Sequence, residues 1–225
     1  MAGVRLGVFE ALRNGPRSAQ ELAQYIALDE SCLDLLLRAL AHFDYVAQRG
    51  LKYMLSNLAK KTMVSGSNQE MFGYVEWNYV QWEFLGHLEE LLRTGKGVNF
   101  HSKLKDSKSW RNYQKGMLEL ARLQAPMVAS RIPVPRAPKR LLDLGGSHGL
   151  FGAAICRKHP PMRARVLDLA RAIGPARKLA KSEEIDDVVE HREGNVLTTT
   201  LGRGYDVVCL LTYCTTFVPS NISRL

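Results

Sequence analysis

Asp143, Gly145, Gly146 and Gly149 fall within the run Leu141-Leu142-Asp143-Leu144-Gly145-Gly146-Ser147-His148-Gly149. The run reads as a buried strand that ends in an acid and breaks into a glycine-rich turn, with a helix expected over Leu150 to Arg157. Such a turn builds a ligand site: small residues let a ligand approach the backbone, and the helix N-terminus offers unpaired N–H groups and a partial positive charge. A pyrophosphate turn requires G-x-G-x-x-G. Gly146-x-x-Gly149 lacks the first glycine, because Leu144 stands in its place. The acid two residues before Gly145 suits a ligand carrying a cationic amine instead, since a carboxylate accepts from an ammonium and repels a pyrophosphate.

A second acid supports a nucleoside. Arg163 to Leu169 reads as a short strand that carries Asp168, and Asp168 lies 19 residues after Gly149. That is close to the spacing of about 20 residues for a carboxylate that grips two neighbouring ribose hydroxyls. Val188 to His191 reads as a third strand, followed by Glu193-Gly194-Asn195-Val196, and Tyr205 to Leu211 as an apolar fourth strand. Acids and amides at the carboxyl ends of successive parallel strands mark one ligand edge.

The elements that must position this edge are legible upstream. Val4 to Arg13 reads as an amphipathic helix stopped by Asn14-Gly15-Pro16. Ser18-Ala-Gln-Glu21 is a capping box that opens a helix over Ala19 to Ile26. Asp29 caps a third helix with Leu33, Leu36, Leu37 and Leu40 on one face, and Tyr45 to Leu55 reads as a hairpin turning near Arg49-Gly50. Three helices and a hairpin make a winged-helix order. A third helix of this kind enters a DNA groove, yet its outward positions here include Glu30 and Asp34, which repel phosphates. Dimerisation through the same shape is the competing use. From 68 to 130 the chain reads as mostly helical and rich in aromatics, with Trp110, Tyr113 and Met117 on one helical stripe. That stripe is either plain core or the wall of a pocket for a flat aromatic substrate. Pro133, Pro135 and Pro138 mark a stiff linker.

Composition narrows the class. The chain has 225 residues, 46% hydrophobic and 24% charged, with a net charge of +9 from mostly scattered basic residues; this is a globular composition with a generic basic surface. No apolar run reaches membrane-spanning length and no secretory layout opens the chain. Cys32, Cys156, Cys209 and Cys214 lack metal-ligand spacing and read as reduced packing residues of a cytoplasmic protein.

The run "LLDLGGSHG" resembles the first motif of class I S-adenosylmethionine-dependent methyltransferases. Together with "GVFEALRNGPRSAQELAQYIALDESCLDLLLRAL", "WRNYQKGM", "RVLDL", "EGNVL" and "YDVVCLL", it resembles the small-molecule O-methyltransferases of the caffeate and hydroxyindole type over most of the chain. The resemblance implies a homodimer, a metal-free reaction and S-adenosylmethionine as methyl donor. By that likeness Gly145 and Gly146 line the methionine portion, Asp143 lies near its amino group, Asp168 holds the ribose, and Asn195 stands beside the adenine where the family more often has Asp. Trp110, Tyr113 and Met117 become the substrate pocket. Two departures stand out. Thr215 occupies the position of the family's histidine base, and a threonine hydroxyl cannot take a phenol proton near neutral pH; no catalytic residue is assigned, and His148 is placed toward solvent. The chain also stops at Leu225 without the family's later strands, which reads as a truncated form or as a sheet edge covered by a partner.

The expectation is an α/β protein: a winged-helix dimerisation domain over 1–66, a helical connector with pocket helices over 67–130, and a partial Rossmann-like methyltransferase sheet over 131–225. Its activity is methyl transfer from S-adenosylmethionine to an oxygen of a small aromatic molecule. The alternative is a catalytically inactive relative that acts by pairing with a full-length partner. Neither a membrane nor nucleic acid is expected as a partner.

Overall fold

A computed structural model describes residues 1–67, 69–96 and 104–211, and the chain divides into two compact units, Met1–Trp82 and Glu83–Leu225.

In the first unit the expected helix over 4–13 is two short helices, α1 (Ala2–Arg5) and α2 (Val8–Ala11). Gly7 between them has φ +74°, a left-handed conformation that glycine adopts at little cost and that interrupts the helix. Strand β1 (Arg17–Ser18) leads into α3 (Ala19–Ile26), where the capping box forms: Glu21 N–H donates to Ser18 Oγ at 3.1 Å and Ser18 N–H to Glu21 Oε2 at 2.8 Å. Asp29 caps α4 (Glu30–His42) by accepting from Cys32 N–H. Cys32 itself is exposed, against the expectation of a packing role, while Cys156 and Cys209 are buried as expected. The hairpin is β2 (Val46–Arg49) and β3 (Lys52–Leu55), paired Val46 to Leu55 and Arg49 to Lys52, and β1 joins it across β3. α5 (Asn57–Thr62) follows, and most of α6 (Phe72–Leu85) belongs to this unit. Val8, Phe9, Leu22, Leu33, Leu37 and Tyr53 fill the core. Asp34, expected to face outward, is half-buried: it accepts from the Tyr53 hydroxyl at 2.8 Å and pairs with Arg38 at 3.1 Å. The acid thus ties α4 to the hairpin.

In the second unit α7 (Leu88–Thr94) ends at Gly95, and the long α8 (Ser107–Arg131) is capped by Asp106. Among the described residues four parallel strands follow: β4 (Arg140–Leu144), β5 (Arg163–Asp168), β6 (Val189–Glu193) and β7 (Val207–Cys209), in the spatial order β6-β5-β4-β7. α9 (Leu150–Lys158) connects β4 to β5, and α10 (Ala170–Ser182) connects β5 to β6. Strand order reverses at β4, the place where ligands bind open parallel sheets, outside the carboxyl ends. Leu141, Ala153, Ile155, Val166 and Val189 form a core under α9, and α8 packs on α9 and α10. β7 is shorter than the expected 205–211 and pairs only with β4 among the described residues, with Val208 57% exposed.

Candidate functional site

The glycine-rich turn sits where β4 ends, held against the end of β5. Gly145 N–H donates to the Leu167 carbonyl at 2.8 Å, and Gly149 N–H to the Gly146 carbonyl at 2.9 Å. Gly149, with φ +81°, opens α9 as its N-cap, and a Cβ there would lie 2.7 Å from a methyl of Val189. The β4–β5 register, Asp143 beside Val166 and Leu144 beside Leu167, brings the acids at 143 and 168 to the same edge.

Asp143 is 2% exposed and lies beneath the turn. A Cβ on Gly146 would sit 2.8 Å from Asp143 Oδ1 and closer still to the other carboxyl atoms. Gly146 is therefore required by its own acid as well as by any ligand. The carboxyl accepts from the Gly152 N–H in the first turn of α9, and its Oδ2 has no hydrogen-bond partner. Burial, with Asp168 adding to it, pushes the Asp143 pKa from 3.8 to about 7, against the Gly152 N–H.

Asp168 is half-buried and already engaged: Oδ2 accepts from Ser147 N–H at 2.9 Å and Oδ1 from Leu169 N–H at 2.7 Å. Burial raises its pKa, and those two N–H groups oppose the rise. Each oxygen keeps a further lone pair for a ligand hydroxyl. Gly194 N–H donates to the Asp168 carbonyl at 2.9 Å, which draws the exit of β6 to the same edge. There the exposed Asn195 turns its side chain on its own backbone, accepting from Leu197 N–H at 2.9 Å.

His148 departs from the expected outward placement: it is 3% exposed. Nδ1 accepts from Leu150 N–H at 3.1 Å, at the start of α9. The other ring nitrogen donates to the Met117 carbonyl of α8, and burial pushes the pKa down to about 4. An imidazole that caps a helix with one nitrogen and bonds a second helix with the other gains more inside than in water. Met117 is thereby linked to the turn. Trp110 is 4% exposed, and its ring meets Tyr113 edge-on at 6.1 Å. Gln114, one residue on, is fully buried and donates to the Ala172 carbonyl of α10 at 3.0 Å. Thr215 lies outside the described residues.

Sequence reasoning passed over His191. It is 8% exposed, and its Nε2 lies 3.0 Å from the Ser147 carbonyl. Its position two residues after the buried Val189 in a strand of alternating burial is the signal that points it inward. A hollow of about 320 Å³ occurs at the opposite, amino edge of the sheet, lined by Arg140, Arg163, Arg165 and Glu190 among others. Arg165 pairs with Glu190 there, and Arg140 lies over the Tyr205 ring. Arg165 and Glu190 neutralise one another there, and the glycine-rich turn lies at the other edge of the sheet.

Comparison with known proteins agrees with this geometry. Residues 77–223 match the model of the O-methyltransferase domain, and residues 1–65 match that of the O-methyltransferase dimerisation domain. The chain is 23% identical to a 3-hydroxy-5-methyl-1-naphthoate 3-O-methyltransferase of Streptomyces sahachiroi, over 93% of this chain and 62% of that protein. It is 28% identical to a mitomycin biosynthesis 6-O-methyltransferase of Streptomyces lavendulae, over 87% and 59%. It thus spans about six-tenths of these relatives' length. Human N-acetylserotonin methyltransferase, solved in complex with S-adenosylmethionine, shares the fold with a TM-score of 0.73 at 18% identity, over 89% of this chain and 62% of that one. The chain belongs to the O-methyltransferase family, and its first 65 residues form that family's dimerisation domain.

Proposed function

We propose that this chain binds S-adenosylmethionine at the carboxyl edge of its parallel sheet, and that the protein transfers the methyl group to an oxygen of a small aromatic molecule. The observation that carries the reading is the pair of acids at one turn, Asp143 and Asp168, with Asp143 Oδ2 buried and unpartnered. Two neighbouring carboxyls in a poorly solvated place favour a cationic ligand, which lowers the cost of ionising both. The residues fit that group. Asp168 has lone pairs left for vicinal hydroxyls, the backbone at Gly145 and Gly146 accommodates the amino-acid portion, and Asp143 acts from beneath the turn as a charge. Asn195 stands at the β6 exit for the base, where its carbonyl oxygen keeps a second lone pair beyond the Leu197 N–H to accept from an amino group. When bound, S-adenosylmethionine supplies a methyl on a sulfonium, already activated for in-line displacement. The chain's own part is to orient the two reactants and exclude water.

Trp110, Tyr113 and Met117 are assigned to the acceptor pocket, on the support of their common stripe on α8 and the His148 link from Met117 to the turn. The named activities of the relatives from Streptomyces sahachiroi and Streptomyces lavendulae support an oxygen acceptor on an aromatic framework. We assign the domains as 1–66 winged-helix dimerisation domain, 67–130 connector and pocket helices, and 131–225 cofactor domain. The protein acts as a cytoplasmic homodimer. No helix among the described residues is long and apolar enough to cross a membrane.

Calorimetric titration of the chain with S-adenosylhomocysteine tests the cofactor assignment. Saturable binding with one site per chain is expected, and it should weaken at least about tenfold, or about 1.4 kcal/mol, in Asp168→Ala. No heat at millimolar ligand ends the reading.

A further inference from the structure

Ser147 is a strained residue held by its neighbours. Its φ is +49°, a left-handed conformation that costs a side-chain-bearing residue about 1–2 kcal/mol. Such a conformation persists where surrounding groups fix it. Both peptide groups that flank the Ser147 Cα are fixed. The N–H is held by Asp168 Oδ2 from β5 at 2.9 Å, and the carbonyl by His191 Nε2 from β6 at 3.0 Å. A carbonyl only accepts, so Nε2 carries the proton. The backbone of His191 is anchored in turn, because Arg177 of α10 donates to its carbonyl at 2.9 Å.

We propose that His191 is a positioning residue for the cofactor turn. By holding the Ser147 carbonyl it keeps Ser147 left-handed, and so keeps the Ser147 N–H on Asp168. The bond from Ser147 fixes the Asp168 carboxylate in the rotamer that leaves its remaining lone pairs for a ligand's two hydroxyls. Without the imidazole, Ser147 relaxes toward an ordinary backbone conformation, its N–H swings off Oδ2, and the carboxylate loses its orientation. The inference rests on the cofactor reading above and adds a residue that does not touch the ligand. Burial disfavours the charged ring, and Arg177 adds to that effect while the Ser147 carbonyl opposes it. A neutral ring is enough, because one N–H is all the role requires. Glutamine, whose Nε2 reaches about as far from the backbone, can replace that donor; leucine cannot.

Two measurements test this. In the first, S-adenosylhomocysteine is titrated calorimetrically into the wild-type chain, His191→Gln and His191→Leu, with thermal melts of each. Binding is expected to fall at least about tenfold in His191→Leu and to stay within about threefold of wild type in His191→Gln; a factor of ten is about 1.4 kcal/mol. Equal binding by wild type and folded His191→Leu overturns the inference alone. No binding by the wild type overturns the cofactor reading and this inference with it. The second measurement needs no variant to fold. Long-range 1H–15N correlation of the imidazole nitrogens in the wild-type chain should show His191 as the Nε2–H tautomer, with that proton protected from solvent exchange. An Nδ1–H tautomer, or an Nε2 proton exchanging as fast as free imidazole, overturns it.

Discussion

Asp143→Asn should separate what the turn costs from what it does. Burial, helped by Asp168, raises the Asp143 pKa from 3.8 to about 7. At about 1.4 kcal/mol per pH unit, keeping this group ionised in the fold above pH 7 costs about 4 kcal/mol. The sign follows from linkage: a carboxyl whose folded pKa is raised contributes its full stability below the unfolded value, and that contribution is lost as pH rises through about 7. Asparagine keeps the shape and the acceptor for Gly152 N–H but carries no charge. Its NH2 takes the place of Oδ2, which has no partner, and an unpaired buried donor costs about 1–3 kcal/mol. The net expectation at pH 8.5 is a variant more stable than wild type by about 1–3 kcal/mol. By pH 4 to 5 the advantage should vanish or reverse, since Asp143 is then neutral. Urea unfolding at pH 4.5 and pH 8.5 measures it, and titration with S-adenosylmethionine at pH 8.5 should show weaker binding by the more stable variant. A difference in stability that is the same at both pH values, or a variant less stable than wild type at pH 8.5, would refute the reasoning.

Gly146→Ala forces a methyl into the Asp143 carboxyl; a loss of about 1–3 kcal/mol in urea unfolding and of detectable S-adenosylhomocysteine binding is expected. Ser147→Gly removes the left-handed strain and an unpartnered buried hydroxyl, offset by glycine's larger unfolded-state entropy. Thermal melts should show a chain unchanged or more stable by up to about 1 kcal/mol. Tyr53→Phe deletes the hydroxyl that Asp34 accepts from and should cost about 1–2 kcal/mol in the first unit, read from urea unfolding by far-UV circular dichroism. A cationic ligand lowers the pKa of Asp143, so affinity for S-adenosylmethionine should rise as pH increases through about 7. Calorimetry in buffers of different ionisation enthalpy should detect the released proton, and Asp143→Asn should abolish that release.

The strands of the second unit and the turn between β4 and α9 were legible because their signals are local. An apolar run ending in an acid, then glycines, then a helical stretch leaves little freedom, and β5 runs over Arg163–Asp168 much as the pattern predicts. The capping box at Ser18 and Glu21 was legible for the same reason. What failed was one local break and several side chains whose partners are distant in the chain. Val4 to Arg13 has helical spacing throughout, yet Gly7 adopts φ +74° and divides it. Asp34 sits on the outward side of a helical wheel, but a tyrosine 19 residues on reaches it. His148 looks like a solvated turn residue until α8 arrives with the Met117 carbonyl, and His191 has no visible partner until β6 is set beside β5. The family resemblance supplied roles for 143, 145, 146, 168 and 195. It could not supply that Asp143 is sealed beneath Gly146, or that Asn195 turns back on its own loop.

The two costs at this turn have a common logic. Asp143 is held where ionisation is unfavourable, and Ser147 is held where its backbone is strained. Neither contributes to stability, and both are sustained by groups from adjoining elements: Gly152 N–H for the first, Asp168 and His191 for the second. Residues kept in unfavourable states by an over-determined surrounding concentrate where a ligand is to be received. A cation arriving at the edge relieves the first cost directly, because it favours the ionised form of the acids beneath it. The second is not relieved by the ligand; it is the condition for Asp168 to face outward before the ligand arrives. Pre-organisation of this kind spends folding stability to reduce the ordering cost of binding. Relaxing Ser147 by removing the imidazole should therefore reduce affinity without a matching loss of stability, whereas a residue that only filled core would lose both together.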